Sequence, residues 1–566
     1  MNRFFIITIV AILLNIGCTN YIDNYLSKRD EQIAKLEELC KEMNSDIEAL
    51  QALISALQKS DTVTSVTPII IDGVEVGYTM TFTQSEPITI YHGTNGEDGD
   101  SFFSAVTEDE QFVYLTLTDG SVITISKGEK LLHNKLYYTT TNGSKLFPQT
   151  TEPALFGAIL ISNTYRDGQG VMTFDDNITV IGESLFYGCL ELKSITIPDS
   201  VTEIDTNAFR GCSNLTEVTL GRGVKTIHQS AFQDCISIRS ITIPSSVKNF
   251  GAAAFYNCNS LNAVHIEDLA EWCSNKFSES NANPLSNGGR LFIGDNEVTH
   301  LIVPEGVTEI NSFVLDGCTS VNNITIGSSV KRIHQYAFYY CANLESITIP
   351  QSVAQIDDLA FVGCSKLSSF DSPFASTDSR CLIMDNTIVA FAPAAIREYT
   401  LPEGITTIGD FVFCLCNELE HITLSNTLTT IGDQAFFACE SLKEIAMPDS
   451  VTNIGFSAFY GCQSLENVSF GRVRIIDSNA FNGCSSLKTI DLPMYVESIG
   501  AAAFSGCSAL ESVYCHPTVP PVVAADSFSD NAPNRTFYVP RTSEAVYEQA
   551  LGWSGYASAI EPYDFE

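Results

Sequence analysis

Phe338-Tyr-Tyr-Cys341-Ala-Asn-Leu344-Glu-Ser-Ile347-Thr-Ile349-Pro350 is one copy of a stretch, F-x-x-C-x-x-L-x-x-I-x-I-P, that the chain repeats. Its Cys slot recurs at Cys189, Cys212, Cys235 and Cys258, at Cys318, Cys341 and Cys364, and at Cys416, Cys439, Cys462, Cys484 and Cys507. Most steps are 23 residues and one is 22, and a Phe stands three residues before each Cys except at Leu315. An internal period in the twenties predicts a solenoid. Within one coil, Ile195 and Ile197 leave one face of a strand, while Ser194 and Thr196 leave the other. Pro198 has no N–H with which to continue a ladder, so it ends the strand. Val201 and Ile204 bring the chain back, and the pair Ala208-Phe209 fills the core. A single coil buries almost nothing. Stacking sets each Phe, Leu, Ile and Cys against its copy, with the strands in a parallel ladder about 4.8 Å apart.

The slot cysteines raise a redox or metal reading. Equivalent positions on stacked coils point in parallel about 4.8 Å apart. Their Cβ atoms are then too distant for the separation of about 3.8 Å that a disulfide prefers. No C-x-x-C pair or His cluster completes a zinc site. Cysteine packs well as a small hydrophobe, so stacked buried thiols are expected. Cys18, Cys40, Cys273, Cys381, Cys414 and Cys515 lie outside the slot, and pairing among them stays open.

The pattern, as in Ile454-Gly-Phe-Ser-Ala458-Phe459-Tyr-Gly-Cys462-Gln-Ser-Leu465, resembles the BspA-like leucine-rich repeat family, over about residues 130–566. These are secreted or surface proteins, mostly of anaerobic bacteria and some protozoa. The resemblance implies an α/β-to-mainly-β solenoid, a leucine-rich repeat rod of 22–23-residue coils. For some members it implies adhesion to host proteins or other cells. It brings no catalytic residues and no cofactor, and fold alone does not fix function.

The formal charge of −37, from 30 Lys+Arg against 67 Asp+Glu, disfavours nucleic acid or an anionic membrane surface as partner. Residues 1–17 read as a lipoprotein signal peptide: Arg3, then an apolar run from Phe4 to Leu14 too short to span a bilayer. Leu14-Asn15-Ile16-Gly17-Cys18 resembles a lipobox, although Asn15 stands where Leu is usual, and implies lipidation of Cys18. The expected location is the cell envelope, lipid-anchored in the outer membrane and facing the cell surface. Only Asp23 lies close after Cys18, so the periplasmic face stays open.

Residues 18–60 form the expected stalk. Over 22–57 apolar positions follow a 4–3 spacing, with Ile33, Ile47 and Ile54 at a and Leu36, Leu50 and Leu57 at d. That choice favours a parallel dimer over a trimer. Residues 61–128 alternate Tyr78, Met80 and Phe82 with Thr, and likewise Val113, Leu115 and Leu117. They read as two hairpins, 78–93 and 113–128, the second turning at Asp119-Gly120. This region resembles a small uncharacterised domain that follows a coiled helix in surface proteins of gut anaerobes. Asn95-Gly-Glu97-Asp98-Gly-Asp100 lacks EF-hand spacing and reads as a polar turn rather than a metal site. Residues 129–180 lead in as a capping coil, and 181–514 hold the repeats, interrupted near 267–300 and 371–400. Residues 515–566 carry Phe528, Tyr547, Trp553 and Tyr556 for a C-terminal cap.

No H-E-x-x-H, G-x-S-x-G or phosphate loop occurs. The chain is therefore read as non-catalytic, with a protein or glycan ligand on the strand face. An envelope scaffold without a soluble ligand is the alternative, and a cryptic glycan-active enzyme a weaker one. The expected binding face is the row before the last apolar position of each strand, led by Thr196, Thr219, Thr242, Thr325, Thr348, Thr400, Thr423 and Tyr514. Thr also simply suits strands, which explains the row without any ligand. Of that row only Tyr514 is an anchor of the usual kind, so many weak hydrogen bonds and no hot spot are expected.

Overall fold

The computed structural model describes residues 134–565 and, ahead of them, six strands: β1 (Val63–Ile71), β2 (Val74–Phe82), β3 (Ile88–Tyr91), β4 (Phe103–Glu108), β5 (Phe112–Leu117) and β6 (Val122–Ser126). The signal segment, Cys18, Cys40, the heptads of 22–57 and the acidic turn 95–100 lie outside the described residues. The chain divides into two compact units, Met1–Leu132 and His133–Glu566. In the first, β1–β2–β3 and β4–β5–β6 are separate antiparallel sheets. The two expected hairpins are β2–β3 and β5–β6, and each carries one further strand on its N-terminal side.

The second unit is the solenoid. Each coil contributes two short strands to two parallel ladders. The first ladder holds the L-x-x-I-x-I segments, as in Ser194–Glu217, Ile195–Val218 and Thr196–Thr219 paired in register. The second holds the V-x-x-I segments, where Glu203 and Ile204 pair with Thr226 and Ile227. A third stack lies at the turn between them. There the N–H of Phe186 donates to Ala208 O at 2.8 Å, that of Phe209 to Ala231 O at 2.8 Å, and that of Phe232 to Ala254 O at 2.9 Å. The Phe rings follow their backbone and stack: Phe413, Phe436 and Phe459 lie 4.9 Å from one to the next, within 6° of parallel. Each turn reverses through two left-handed residues. One stands two before the Phe (Ser184, Asn207, Ser230, Ala253), the other just before the Cys (Gly188, Gly211, Asp234, Asn257). Glycine and short polar side chains suit them because a Cβ crowds the next carbonyl in that conformation.

The cysteines are all free among the described residues, and every slot cysteine is buried. They do more than fill space. Cys212 donates its S–H to the carbonyl of Phe186 at 3.0 Å, Cys235 to Phe209 at 3.1 Å, and Cys439 to Phe413 at 3.0 Å. Each such carbonyl already accepts its own coil's Cys N–H, as Phe186 O does from Cys189 at 3.1 Å. The thiol row therefore ties each coil to the one before it. At the first break the bond is replaced, and Cys318 lies 3.6 Å from Ser320 Oγ instead. Cys273, Cys381, Cys414 and Cys515 are unpaired too.

The ends are closed differently. Lys135–Thr140 runs antiparallel to Leu192–Thr196, and Gln169–Phe174 and Leu160–Arg166 extend that sheet outward. At the other end the ladder does not stop at residue 514. Thr536–Pro540 and Ile560–Tyr563 add two more parallel strands. Tyr547 and Trp553 are fully buried under them, their polar tips bonded to Pro517 O and Pro521 O at 2.8 Å each. Arg535 sits among the cap rings, 4.7 Å from the centre of Phe537 and 5.1 Å from that of Tyr556.

The two interruptions are ordered structure. The first, which reads as a loop, holds a short helix, α1 (Leu269–Cys273), N-capped by Asp268. It buries Trp272, whose indole N–H donates to Val314 O at 2.9 Å. The N–H of Phe255 finds Asn281 O at 3.1 Å, so this insertion also continues the turn stack. The second is a hairpin, Cys381–Met384 with Thr387–Phe391, whose second strand restarts the second ladder against Thr407–Ile408. Phe391 packs on Phe413 at 4.6 Å in place of a stacked copy. The core divides there into two clusters, one from Leu136 to Ala392 and one from Cys381 to Ile560.

Candidate functional site: the outward face of the first ladder

Alternation along each strand turns the residue before the last apolar position to solvent. Thr196, Thr219, Thr242, Thr400 and Thr423 are exposed, and Thr325, Thr348 and Tyr514 half-buried. Register brings them together in runs. Thr196 lies beside Thr219, Thr325 beside Thr348, and Thr400 beside Thr423. The interruptions separate those runs, so the row is not one continuous strip. Hydroxyls in the middle are engaged by neighbours: Thr348 Oγ1 donates to Asp371 Oδ2 at 3.1 Å, and Thr325 Oγ1 lies 3.0 Å from His300 Nε2.

The face carries more aromatic and aliphatic surface than the repeat frame indicates. Phe292 pairs in register with His265 and stacks on it at 4.7 Å, and Ile302, beside Thr325, is 59% exposed. At the N-terminal end Tyr137 lies opposite Thr196. The largest addition is at the C-terminal end, where Tyr538 continues the row after Tyr514. Their rings stack at 4.8 Å, Tyr563 meets both edge-on at 5.3 and 5.6 Å, and Phe565 joins at 4.9 Å. His516 closes the group, 4.0 Å from Phe565, with its Nε2 2.7 Å from Asp491 Oδ1. Burial, with the neighbouring Tyr538 and Tyr563 hydroxyls and Asp491, pushes the Tyr514 phenol up from its ordinary value.

Directly before this cluster the face opens into a concavity of about 720 Å³. Ala446 lies in the middle of its row, and Thr423, Glu444, Asn467, Ser469 and Asp491 supply polar groups around it. No Lys or Arg lines it. His421 holds Glu444 at 3.2 Å. Off this face, His228 and His334 pair across coils with Glu203 at 3.1 Å and Glu309 at 3.0 Å, which identifies them as inter-coil ties. Among the described residues no group of three or more His, Cys, Asp or Glu could hold a metal ion, and no helix is long and apolar enough to cross a membrane.

Residues 170–283, 288–382, 387–511 and 464–552 match the BspA type leucine-rich repeat region. The chain belongs to that family. Residues 22–132 match a domain of unknown function. No curated protein matches the sequence. Among solved structures, a leucine-rich cell surface protein from Faecalibacterium prausnitzii is 23% identical, covering 72% of this chain and 94% of its own, with a TM-score of 0.42. A leucine-rich repeat protein from Bacteroides ovatus is 26% identical over 71% of this chain and 90% of its own, with a TM-score of 0.37. One from Eubacterium ventriosum is 20% identical over 60% and 90%, with a TM-score of 0.40.

Within the family repeat, strand alternation alone is enough to find the threonine row. Phe292, Ile302 and Tyr538 escape it because each lies where the Cys-slot spacing fails, beside an insertion or past Cys507.

Proposed function

We propose that the protein is a lipid-anchored, cell-surface adhesion protein that binds its ligand, non-catalytically, on the outward face of the first ladder. Cys18 carries the lipid, and residues 22–57 hold the protein as a dimer. Family membership supports the surface location. The observation that carries the reading is the face itself: exposed threonines in register, with aromatic side chains gathered at its C-terminal end. The histidines on that face are engaged by carboxylates, a carbonyl or a threonine hydroxyl. A protein or glycan surface laid across it meets many hydrogen-bonding groups and few cations.

The test replaces Thr325, Thr348, Thr400 and Thr423 together by Lys in the full chain. These side chains point outward, so the coils remain folded; like charges in register cost about 0.2–1 kcal/mol per pair. Binding to immobilised host-matrix proteins and glycans is then compared with wild type. Loss of binding with an unchanged circular-dichroism spectrum supports the reading. A folded quadruple variant that binds as wild type does moves the site to the insertions.

A further inference from the structure

Two aromatic groups occupy the C-terminal end, and only one of them serves the fold. Phe528, Phe537, Tyr547 and Trp553 are buried and close the core. Tyr514, Tyr538, Tyr563, Phe565 and His516 lie on the outward side, in contact ring to ring, Tyr563 exposed and the others half-buried. Such a patch at the rim of an open, polar concavity marks an interaction site.

We infer that this end of the face, from Thr423 to Tyr563, binds a neutral oligosaccharide. The inference rests on the proposal that the outward face binds ligands, and it names the ligand class. A pyranose has two kinds of surface. Its C–H faces pack on aromatic rings, as apolar groups do, and its hydroxyls need fixed acceptors and donors. Tyr514 and Tyr538 provide the rings. Glu444 and Asp491 provide acceptor-only carboxylates, each held by a histidine, at 3.2 and 2.7 Å. Asn467, Ser469 and Thr423 add groups that both donate and accept. Hydrogen bonds to a carboxylate are the stronger kind, at about twice a neutral pair.

Charge and size select against other occupants. With no Lys or Arg in the concavity and two carboxylates on its wall, sulfated or sialylated chains are repelled. The volume of about 720 Å³ is that of a small-ligand cleft, in the range of about 300–1,000 Å³. A stable protein partner instead needs about 800 Å² per side with buried anchors. The trough also lies along the ladder, where one coil is about as thick as one sugar ring is long. Successive sugars then meet equivalent rows of side chains.

The full chain is applied to an array of neutral β-glucan, xylan and mannan oligosaccharides, with sialylated and sulfated glycans and matrix proteins as separate arms. Retention of at least one neutral series is expected, with no retention of the anionic ones. Affinity for the retained oligosaccharide, measured by calorimetry, falls at least about tenfold in Tyr514→Ala/Tyr538→Ala, which is about 1.4 kcal/mol. Asp491→Asn and Glu444→Gln, which keep shape, lower it as well. Tyr187→Ala and Tyr256→Ala, exposed tyrosines away from the ladder, leave it unchanged. The inference is overturned if no neutral glycan is retained, if only anionic glycans are, or if a folded tyrosine variant binds as wild type does. Should the tyrosine variant unfold, unchanged binding by both isosteric carboxylate variants overturns it. Matrix-protein binding that the threonine-to-lysine variant abolishes, without any glycan binding, rejects the sugar and keeps the face.

Discussion

The buried thiols should make the solenoid's stability fall as pH rises in mild alkali. In the C-terminal core cluster, Cys381, Cys416, Cys439, Cys462, Cys484, Cys507 and Cys515 are all buried. Burial pushes Cys381 and Cys507 up to about 12, each helped down only partly by hydrogen bonds. The same desolvation, with neighbouring thiols adding to it, holds Cys416, Cys439 and Cys484 well above their ordinary value. In the unfolded chain a thiol ionises near pH 8.5. Between that pH and about 12 the unfolded state holds fewer protons than the native one, so stability declines as pH rises. Below pH 8.5 both states are protonated and the thiols contribute no slope.

A thiol held at about 12, as Cys381 and Cys507 are, loses about 1.4 kcal/mol per pH unit in that window, and at pH 10 about 2 kcal/mol. Cys462 and Cys515 shift the same way, so the losses of the other five thiols add to these, against a domain stability of about 5–15 kcal/mol. The C-terminal block should therefore lose stability progressively above pH 8.5. Urea unfolding followed by far-ultraviolet circular dichroism, under reductant at pH 7.5, 8.5 and 9.5, measures the slope. Cys439→Ala/Cys462→Ala/Cys484→Ala should be less stable at pH 7.5, since it loses three inter-coil bonds and their packing. Its slope above pH 8.5 should be shallower than that of the wild type. A triple variant with the wild-type slope, or a wild type that keeps its stability at pH 9.5, refutes the linkage.

Gly461 stands at φ +70° with its nearest outside atom, Ala438 Cα, 3.8 Å from an added Cβ, so Gly461→Ala tests backbone conformation alone. It should cost about 1–2 kcal/mol in a thermal melt, while Ala438→Gly, already left-handed at φ 53°, should cost nothing or stabilise. Asp316 is buried, its Oδ2 has no partner, and burial pushes its carboxyl up to about 6. Its native form keeps a proton that the unfolded chain gives up near pH 4, so stability falls from pH 4 to 6 and stays low above that; Asp316→Asn should be more stable by about 3 kcal/mol at pH 7 and near equal at pH 4 in urea titrations. Labelled fatty acid should enter the wild type in cells and not Cys18→Ser; equal labelling removes the anchor from the proposal. Light scattering should give a dimer for the mature chain and a monomer when residues 20–60 are deleted; two monomers reject the stalk.

What the sequence discloses here depends on which interactions repeat with it. Ile195, Ile197 and Thr196 obey the alternation of a strand, so the inward and outward rows are legible in the residue pattern itself. Phe209 and Cys212 recur at the solenoid's own period, so their burial is legible too. The thiol bond is not. It joins Cys212 to a carbonyl of the previous coil. Nothing in a single repeat distinguishes a thiol that donates from one that only fills space. The left-handed turns are masked in another way: Ser184, Ala253 and Gln434 occupy them as well as glycine does elsewhere, because stacking on both sides outweighs a local cost of about 1–2 kcal/mol. The binding face fails to read through only where the period fails. Tyr538 follows Tyr514 by register, yet no Cys slot announces its coil, and the aromatic run around it reads as cap. Tyr538 and Phe537 are adjacent on one strand and face opposite ways. Phe537 closes the core, and Tyr538 enlarges the surface on which a ligand would rest. Where a solenoid ends, the same aromatic composition serves both purposes, and only the pleat decides which ring does which.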